Sequence, residues 1–164
     1  MKTTAIRAAD TGDVKRILHI YNQGIEDRIA TLEVDQKDIA YMNNWLQQHQ
    51  DRYAVIVAEQ DGVVIGWASL NPYSQRCAYD GVADLSIYID RAFRGKGVGS
   101  ILLHRLEEIA KEKDFYKIVL FTFPFNKNSQ GLYHKLGYRD VGVFEKQGIL
   151  DGKYVDVKIM EKLL

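Results

Sequence analysis

A dense group of glycines stands between a strand pattern and a helix pattern. Residues 89–110 read IDRAFRGKGVGSILLHRLEEIA, and three glycines lie within the five residues from Gly95 to Gly99. The preceding segment, VADLSIYID, has a strand pattern, and the segment from Val98 to Ala110 has apolar residues at helical spacing. Ordering a glycine costs more conformational entropy than ordering any other residue. Three glycines at such a junction therefore predict positive φ angles, close approach of the backbone to another group, or both.

The order of periodic segments around this junction predicts an α+β fold. Apolar residues alternate in TTAIRAA and recur at helical spacing in the two segments after it, for which Thr11 and Asp35 are the predicted N-caps. Asp-Gly pairs at 61–62 and 151–152 each separate two strand patterns, which predicts two hairpins. With the apolar strand YKIVLFTF and the short helix NKNSQGLYHKLGY, the predicted order is β-α-α-β-β-β-α-β-α-β-β.

Composition and charge exclude several classes of protein. The chain has 164 residues, 46% of them hydrophobic, which predicts one domain over residues 1–164. Lys and Arg total 22, as do Asp and Glu, so we expect no surface for nucleic acid or for an anionic membrane. The first residues, MKTTAIRAAD, lack the apolar region of a signal peptide, and no apolar run is long enough to span a bilayer. A cytoplasmic protein is expected.

Cysteine and histidine usage does not indicate a metal centre. The single cysteine, Cys77, cannot form an internal disulfide, and nothing in the sequence identifies a base beside it. The four histidines, His19, His49, His104 and His134, have no metal-ligand spacing, and we interpret them as structural. No bound metal is expected.

The glycine-rich junction has two interpretations from its residues alone. Backbone N–H groups at a helix N-terminus favour an anion, so the loop suits a phosphate; a tight turn without a ligand explains the glycines equally well. Two well-known phosphate loops do not match. Lys96 is followed by Gly97 rather than by Ser or Thr, which excludes the P-loop pattern, and the spacing of Gly95, Gly97 and Gly99 excludes the G-x-G-x-x-G pattern.

Two motifs resemble one known family. RGKGVG, read as R-x-x-G-x-G between a strand and a helix, resembles the acyl-CoA pyrophosphate loop of the GNAT acetyltransferases, and NKNSQGLYHKLGY, residues 126–138, resembles that family's N-x-x-A/S-x-x-L-Y-x-K-x-G-F/Y helix. The whole element order also resembles the GNAT fold. The resemblance implies a mixed central sheet of about seven strands flanked by about four helices, with acetyl-CoA as co-substrate.

Three further segments narrow the resemblance. IYNQGIE, RCAYDGVADLSIYID and DGKYVDVKI together resemble the phosphinothricin and methionine sulfoximine N-acetyltransferase branch, which acetylates the α-amino group of small amino-acid analogues. The chain departs from that branch where Asp84 replaces its glutamate, where Tyr133 stands in place of a frequent histidine, and where Val155 replaces a histidine of several members.

The resemblance implies a set of residues that bind acetyl-CoA. Backbone amides from Gly95 to Ser100 would hold the pyrophosphate, the main chain of the preceding strand would pair with the pantetheine arm, and Asn126 would hold the arm from the other side. The predicted acetyl-CoA residues are Ile87, Tyr88, Ile89, Arg94, Gly95, Lys96, Gly97, Val98, Gly99, Ser100, Asn126 and Ser129.

Two residues are predicted to be catalytic. Asp84 shares a strand face with Ser86 and Tyr88, and a carboxylate there could accept the proton of the substrate ammonium through water. The alternative is an exposed polar strand face. In the GNAT family the tyrosine equivalent to Tyr133 often protonates the departing thiolate, and the alternative is a core tyrosine.

The expected function is transfer of acetyl from acetyl-CoA to a small-molecule amine. Glu26, Arg28, Arg76 and Tyr79 come from loops expected to face an amino-acid substrate, with Arg76 suited to pair with a carboxylate or phosphinate; each is also a common surface residue. Two alternatives stay open. One is a GNAT enzyme acting on a protein N-terminus or a lysine, and the other is a CoA-binding regulatory module without turnover. The resemblance is also compatible with a homodimer.

Overall fold

The computed structural model describes residues 3–28 and 31–164 and confirms the predicted order of elements. Three short 3-10 turns, at Thr11–Asp13, Cys77–Tyr79 and Arg91–Phe93, lie between the main elements. The helices and strands are β1 Ala5–Ala8, α1 Val14–Asp27, α2 Ile39–Gln48, β2 Val55–Gln60, β3 Val63–Pro72, β4 Val82–Ile89, α3 Val98–Glu112, β5 Lys117–Thr122, α4 Lys127–Lys135, β6 Arg139–Leu150 and β7 Lys153–Leu163.

The seven strands form one mixed sheet in the order β1-β2-β3-β4-β5-β7-β6. Neighbouring strands are antiparallel except β4 and β5, which are parallel and are joined through α3. A parallel pair needs a long crossover connection, and α3 with its glycine-rich approach supplies it. The predicted α+β class and mixed sheet are confirmed.

The parallel pair separates part of the way along its length. β4 pairs with β3 as far as Ile89, but it pairs with β5 only from Val82 to Asp84, opposite residues 117–119. β5 continues to Thr122 against β7. The two central strands therefore diverge beyond Asp84, and the edge of β4 that faces β5 is left open from that point.

Side chains of successive β3 residues enter two different cores. Trp67 packs with Val57 and Ile17 in the cluster beneath α1 and α2, whereas Ala68 packs with Leu102 in the larger cluster beneath α3. This alternation is the period of two expected for a strand covered on both faces. Because β4 has the same alternation, its side chains divide between the α1/α2 face and the α3 face.

Both predicted hairpin turns are present. Asp61 and Gly62 have φ angles of 51° and 77°, and Asp151 and Gly152 have φ angles of 52° and 79°. Positive φ at both central residues is the geometry of a type I′ turn, which favours Asp-Gly.

The two predicted helix caps are wrong by a few residues. Asp10, rather than Thr11, caps the first turn: its carboxylate accepts from the backbone, and the Asp13 carboxylate accepts from the Asp10 N–H to complete a capping box. Asp38, rather than Asp35, caps α2. Thr11 is the first residue of the turn that Asp10 caps, and Asp38 directly precedes the first residue of α2, where a carboxylate meets the positive end of the helix dipole.

Candidate active site

A cleft of about 670 Å³ lies where β4 and β5 diverge. Its walls come from β4, the end of β5, the glycine-rich loop with the start of α3, and α4. The lining residues are Gly24, Asp84, Leu85, Ser86, Ile87, Tyr88, Ile89, Phe93, Arg94, Gly95, Gly97, Val98, Gly99, Ser100, Phe121, Thr122, Asn126, Asn128, Ser129, Leu132 and Tyr133. The cleft thus contains both predicted catalytic residues and all the predicted acetyl-CoA residues except Lys96.

The glycines of the loop are required for two different reasons. Gly95 and Gly97 have φ angles of 76° and 83°, a conformation that L residues adopt at a cost, and a Cβ at either would meet no atom within 4 Å. Gly99 permits a close approach instead, because a Cβ there would lie 2.9 Å from Cδ2 of Leu132 in α4. Both explanations predicted from the sequence are therefore present.

The loop presents the start of α3 to the cleft. Gly97 is the N-cap of α3, and Val98, Gly99 and Ser100 form its first turn. Backbone N–H groups at these positions have no acceptor within the helix, and the helix dipole adds positive potential. This end of the cleft is suited to a phosphate or pyrophosphate group.

The two cationic side chains of the loop contact other groups of the protein. Arg94 donates to the Asp27 carboxylate at 2.7 Å and to the carbonyl oxygen of Ile89 at 3.3 Å. Lys96 does not line the cleft; its Nζ lies 5.5 Å from the centre of the Phe93 ring. The loop therefore offers an anion its backbone amides rather than free side-chain cations.

The α4 side of the cleft begins at a helix cap. The Asn126 side chain accepts from the backbone N–H of Ser129 at 3.2 Å, which fixes the orientation of the amide at the start of α4. Asn126, Asn128 and Ser129 line the cleft together with residues of β4.

Asp84 lies at the last paired position of β4 before the strands diverge. The side chain is partly buried, and burial raises the pKa of the Asp84 carboxyl to about 6. Hydrogen bonds from the Asn71 side chain, at 3.3 Å, and from the Leu85 backbone oppose part of this rise. Asp84 is therefore a carboxylate that changes charge near neutral pH inside a cleft, which is typical of a general base.

Tyr133 of α4 lines the same cleft as Asp84, and the charge of Asp84 acts on its hydroxyl. The tyrosine is 7% exposed, belongs to the larger core cluster and also lines the cleft. Burial, and then the Asp84 charge, raise the pKa of the Tyr133 hydroxyl above its usual value, so it stays protonated at neutral pH. Tyr133 therefore belongs both to the core and to the wall of the cleft.

The four residues predicted to face the acceptor do not line this cleft. Glu26 accepts from Arg91 at 3.0 Å, and Arg28 donates to Asp151 at 2.9 Å. Arg76 is exposed, with its guanidinium 6.0 Å from the centre of the Tyr79 ring. The structure therefore brings Asp84 and Tyr133 together but leaves these four on the surrounding surface.

Several cleft residues carried no recognisable signal in the sequence. Ser86 could have been identified, because it shares a strand face with Asp84. Gly24, Phe121, Thr122 and Leu132 come from separate elements and meet only in the folded chain. Within residues 3–28 and 31–164, no three His, Cys, Asp or Glu side chains are grouped to bind a metal ion, and no helix is long and apolar enough to cross a membrane.

Comparisons with known proteins agree with this geometry. A family model described as acetyltransferase (GNAT) family matches residues 16–138. "Putative phosphinothricin acetyltransferase YwnH" of Bacillus subtilis is 35% identical over 97% of this chain and 98% of its own. An L-methionine sulfoximine/L-methionine sulfone acetyltransferase of Salmonella typhimurium is 29% identical over 95% of this chain and 92% of its own.

Two solved structures share the fold over nearly the whole chain. A phosphinothricin acetyltransferase from Sinorhizobium meliloti, in complex with acetyl-CoA, has a TM-score of 0.93 and 27% identity, covering 99% of this chain and 89% of its own. A ribosomal-protein-alanine N-acetyltransferase from Brucella melitensis has a TM-score of 0.95 and 30% identity, covering 98% and 99%. The similar proteins thus include enzymes named for small amino compounds and one named for a protein.

Proposed function

This chain belongs to the acetyltransferase (GNAT) family and uses acetyl-CoA, and on that premise we propose that it acetylates the α-amino group of a small amino-acid-like compound of the phosphinothricin or methionine sulfoximine type. One observation carries the proposal. A single cleft combines an anion-binding loop with a carboxylate and a neutral tyrosine hydroxyl that lie near each other. Direct transfer between thioester and amine is assisted by this combination of groups.

The open edge of the sheet supports a binding mode for the co-substrate. Amides from Gly97 to Ser100 would hold the pyrophosphate, and the main chain of Ile87 to Ile89 would hydrogen-bond to the pantetheine arm where β5 no longer pairs. Asn126 and Ser129 would hold the arm from α4.

Asp84 is the proposed proton acceptor. An α-ammonium group of pKa about 8 or higher is largely protonated at neutral pH and cannot attack a thioester. Because the Asp84 pKa is about 6, the carboxylate is mostly ionised at neutral pH and can take that proton, directly or through one water. The neutral amine then attacks the acetyl carbonyl carbon, and the nitrogen releases a second proton to solvent as the amide forms.

Tyr133 is the proposed proton donor for the leaving sulfur. As the bond from carbon to sulfur breaks, the sulfur takes the electron pair, and the O–H of Tyr133 supplies the proton. Its burial beside Asp84 keeps the hydroxyl protonated beforehand.

We expect Tyr133→Phe to lower kcat by about tenfold or more, with a smaller change in the KM for acetyl-CoA, because general acid assistance is worth about 10² to 10⁴. Steady-state release of free thiol measures both constants. Tyr138→Phe is the matched control, because Tyr138 is a neighbouring buried tyrosine outside the cleft lining. An unchanged kcat in Tyr133→Phe, with a loss of thermal stability like that of Tyr138→Phe, would assign Tyr133 to the core alone.

The acceptor is tested by a panel with acetyl-CoA. Free-thiol release is measured with phosphinothricin, methionine sulfoximine, methionine sulfone, ordinary amino acids, and peptides with a free N-terminal alanine or an internal lysine. We expect kcat/KM to be highest for a small amino-acid analogue. A preference for the alanine peptide would favour protein acetylation, the alternative supported by the Brucella relative, and no turnover with any acceptor would favour a regulatory module.

Four further proposals accompany this function. Residues 1–164 form a single domain, which the continuity of one sheet from β1 to β7 supports. Arg76 and Tyr79, with Glu26 and Arg28, would contact the acceptor from outside the cleft lining, and exposed Arg76 is the residue suited to its carboxylate. The protein is cytoplasmic and forms a homodimer.

A further inference from the structure

A polar cluster lies beside Asp84 on the face of the sheet that packs against α1 and α2. Asn71 is directly opposite Asp84 in the β3–β4 pairing, and Ser69 is directly opposite Ser86. The next pair on this face, Trp67 and Tyr88, is stacked at 5.0 Å, and Tyr88 lines the cleft. Directly opposite residues on one face are close enough for their side chains to interact. We call Ser69, Asn71, Asp84 and Ser86, with His49, the Asn71 network.

The Asn71 amide is fully used in this network. Its Nδ2 donates to the Asp84 carboxylate at 3.3 Å and to the Ser86 hydroxyl at 3.0 Å. Its Oδ1 accepts from the Ser69 hydroxyl at 2.9 Å and lies 2.8 Å from Nε2 of His49. Rotating the amide by half a turn would place its oxygen against the carboxylate. An ionised Asp84 therefore fixes the amide with its oxygen toward His49.

His49 contacts an oxygen acceptor with each ring nitrogen. Nδ1 lies 2.9 Å from the carbonyl oxygen of Trp45, and Nε2 lies 2.8 Å from Oδ1 of Asn71. Neither amide oxygen carries a hydrogen, so each contact is a hydrogen bond only if the ring nitrogen is protonated. Neutral imidazole has one N–H, so the geometry is satisfied in full by the cation. The ring also lies against Trp45, with centroids 4.1 Å apart, a position that favours a positive charge.

We propose that Asn71 is a positioning residue that couples a protonated His49 to Asp84. The positive charge holds the Asn71 oxygen, which turns the amide N–H groups toward the Asp84 carboxylate and keeps it ionised and oriented for the acceptor amine. This inference rests on the proposed role of Asp84 as the proton acceptor.

The charge balance of the network explains why it assists a base. A carboxylate taken from water into a partly buried site is disfavoured unless hydrogen bonds and an opposite charge compensate. Asn71 supplies the hydrogen bond, and His49 supplies the opposite charge across the amide. The ionisable groups that face Asp84 from its own strand and from α4 are Tyr88 and Tyr133, and burial with the nearby Asp84 charge raises both their pKa values, so both stay neutral.

The protonation of His49 can be measured without any catalytic turnover. In protein labelled with ¹⁵N, NMR shifts of the two ring nitrogens distinguish imidazolium from either neutral tautomer. We expect both ring nitrogens of His49 to carry a hydrogen, as their two oxygen contacts require, and we expect Asp84→Asn to favour the neutral ring, since the opposite charge is gone. A neutral His49 ring in the wild type, or a ring unaffected by Asp84→Asn, overturns the proposal.

The pH dependence of kcat/KM measures the coupling to catalysis. Asn71→Leu removes the amide at similar size, and His49→Gln keeps a donor for the Asn71 oxygen without the charge. Each change disfavours the ionised form of Asp84, so we expect the acid limb of the kcat/KM profile to move to higher pH by about one unit. At pH values below this limb, kcat/KM should fall by about tenfold, and the loss should narrow at higher pH. His19→Gln, an exposed histidine of α1, is the control and should leave the profile unchanged.

The outcomes separate this inference from the function on which it rests. If Asp84→Asn loses activity but neither Asn71→Leu nor His49→Gln moves the acid limb, the coupling is wrong and Asp84 remains the proposed base. If Asp84→Asn keeps full activity, the proposed base is wrong. A merely structural network would lower thermal stability in both variants without moving the limb.

Discussion

Replacing Gly97 by valine is expected to abolish detectable acetyl-CoA binding, a loss of about a hundredfold or more in affinity, while the chain stays folded. The residue lines the cleft at the N-cap of α3, and a Cβ at this position would have no other atom within 4 Å. A side chain there would occupy the space through which a pyrophosphate approaches the amides of the first helical turn. Calorimetric titration with acetyl-CoA measures the affinity, and a thermal melt measures the fold.

Gly62→Val is the matched control for backbone strain. Gly62 has a φ of 77°, against 83° for Gly97, and its Cβ position is also free of neighbours within 4 Å, but it lies in the β2–β3 turn outside the cleft lining. Both variants should lose about 1–3 kcal/mol of unfolding free energy, because valine is strained at positive φ. The control should keep its affinity for acetyl-CoA. Equal losses of affinity in the two variants, or none in Gly97→Val, would contradict the assignment of the loop.

Asp84→Ala is expected to lower kcat/KM for the acceptor by about 10² to 10⁴ near neutral pH. The wild-type rate should rise with pH through about 6, the pKa of Asp84, because only the ionised carboxylate accepts a proton. The variant should lack that limb. Its deficit should shrink toward about pH 9 to 10, where the amine loses its proton without assistance. The measurement is a pH profile of free-thiol release for both proteins.

Asp84→Asn removes the charge of the side chain but keeps its shape, and it tests whether a loss of activity comes from a loss of stability. The folded-state pKa of Asp84 is raised from 3.8 to about 6, so the carboxylate lowers the stability of the fold as pH rises through that range. Asparagine has no charge to bury, and we expect a melting temperature at pH 8 equal to or above that of the wild type. A stable but inactive Asp84→Asn is therefore the expected result. Full activity in this variant, or an Ala deficit that is equal at every pH, would exclude Asp84 as the base.

Local patterns predicted the elements correctly because their causes act within a few residues. Hydrophobic period, Asp-Gly turns and the glycine-rich junction each depend on neighbouring positions, and the structure has every predicted helix and strand in the predicted order. Even the two misplaced caps differ from Asp10 and Asp38 by one and three positions. Which acid caps a helix depends on where its first turn begins, and this boundary is the least certain feature of a pattern.

The motifs predicted from the sequence alone which residues would meet a phosphate, because the amides of a loop and of the helix it opens are neighbours in the chain. Only the tertiary structure decided which ionisable groups face one another. Asn71 and Asp84 are separated by 13 residues and His49 and Asn71 by 22, and no local pattern predicts that one amide joins a histidine to a carboxylate. Likewise, Glu26 accepts a hydrogen bond from Arg91, 65 residues away, and Arg28 donates one to Asp151, 123 residues away. Burial and the identity of the neighbouring groups shift the pKa of a side chain only after distant segments pack together. The chemistry of Asp84 therefore depends on the fold, although its position was visible in the sequence.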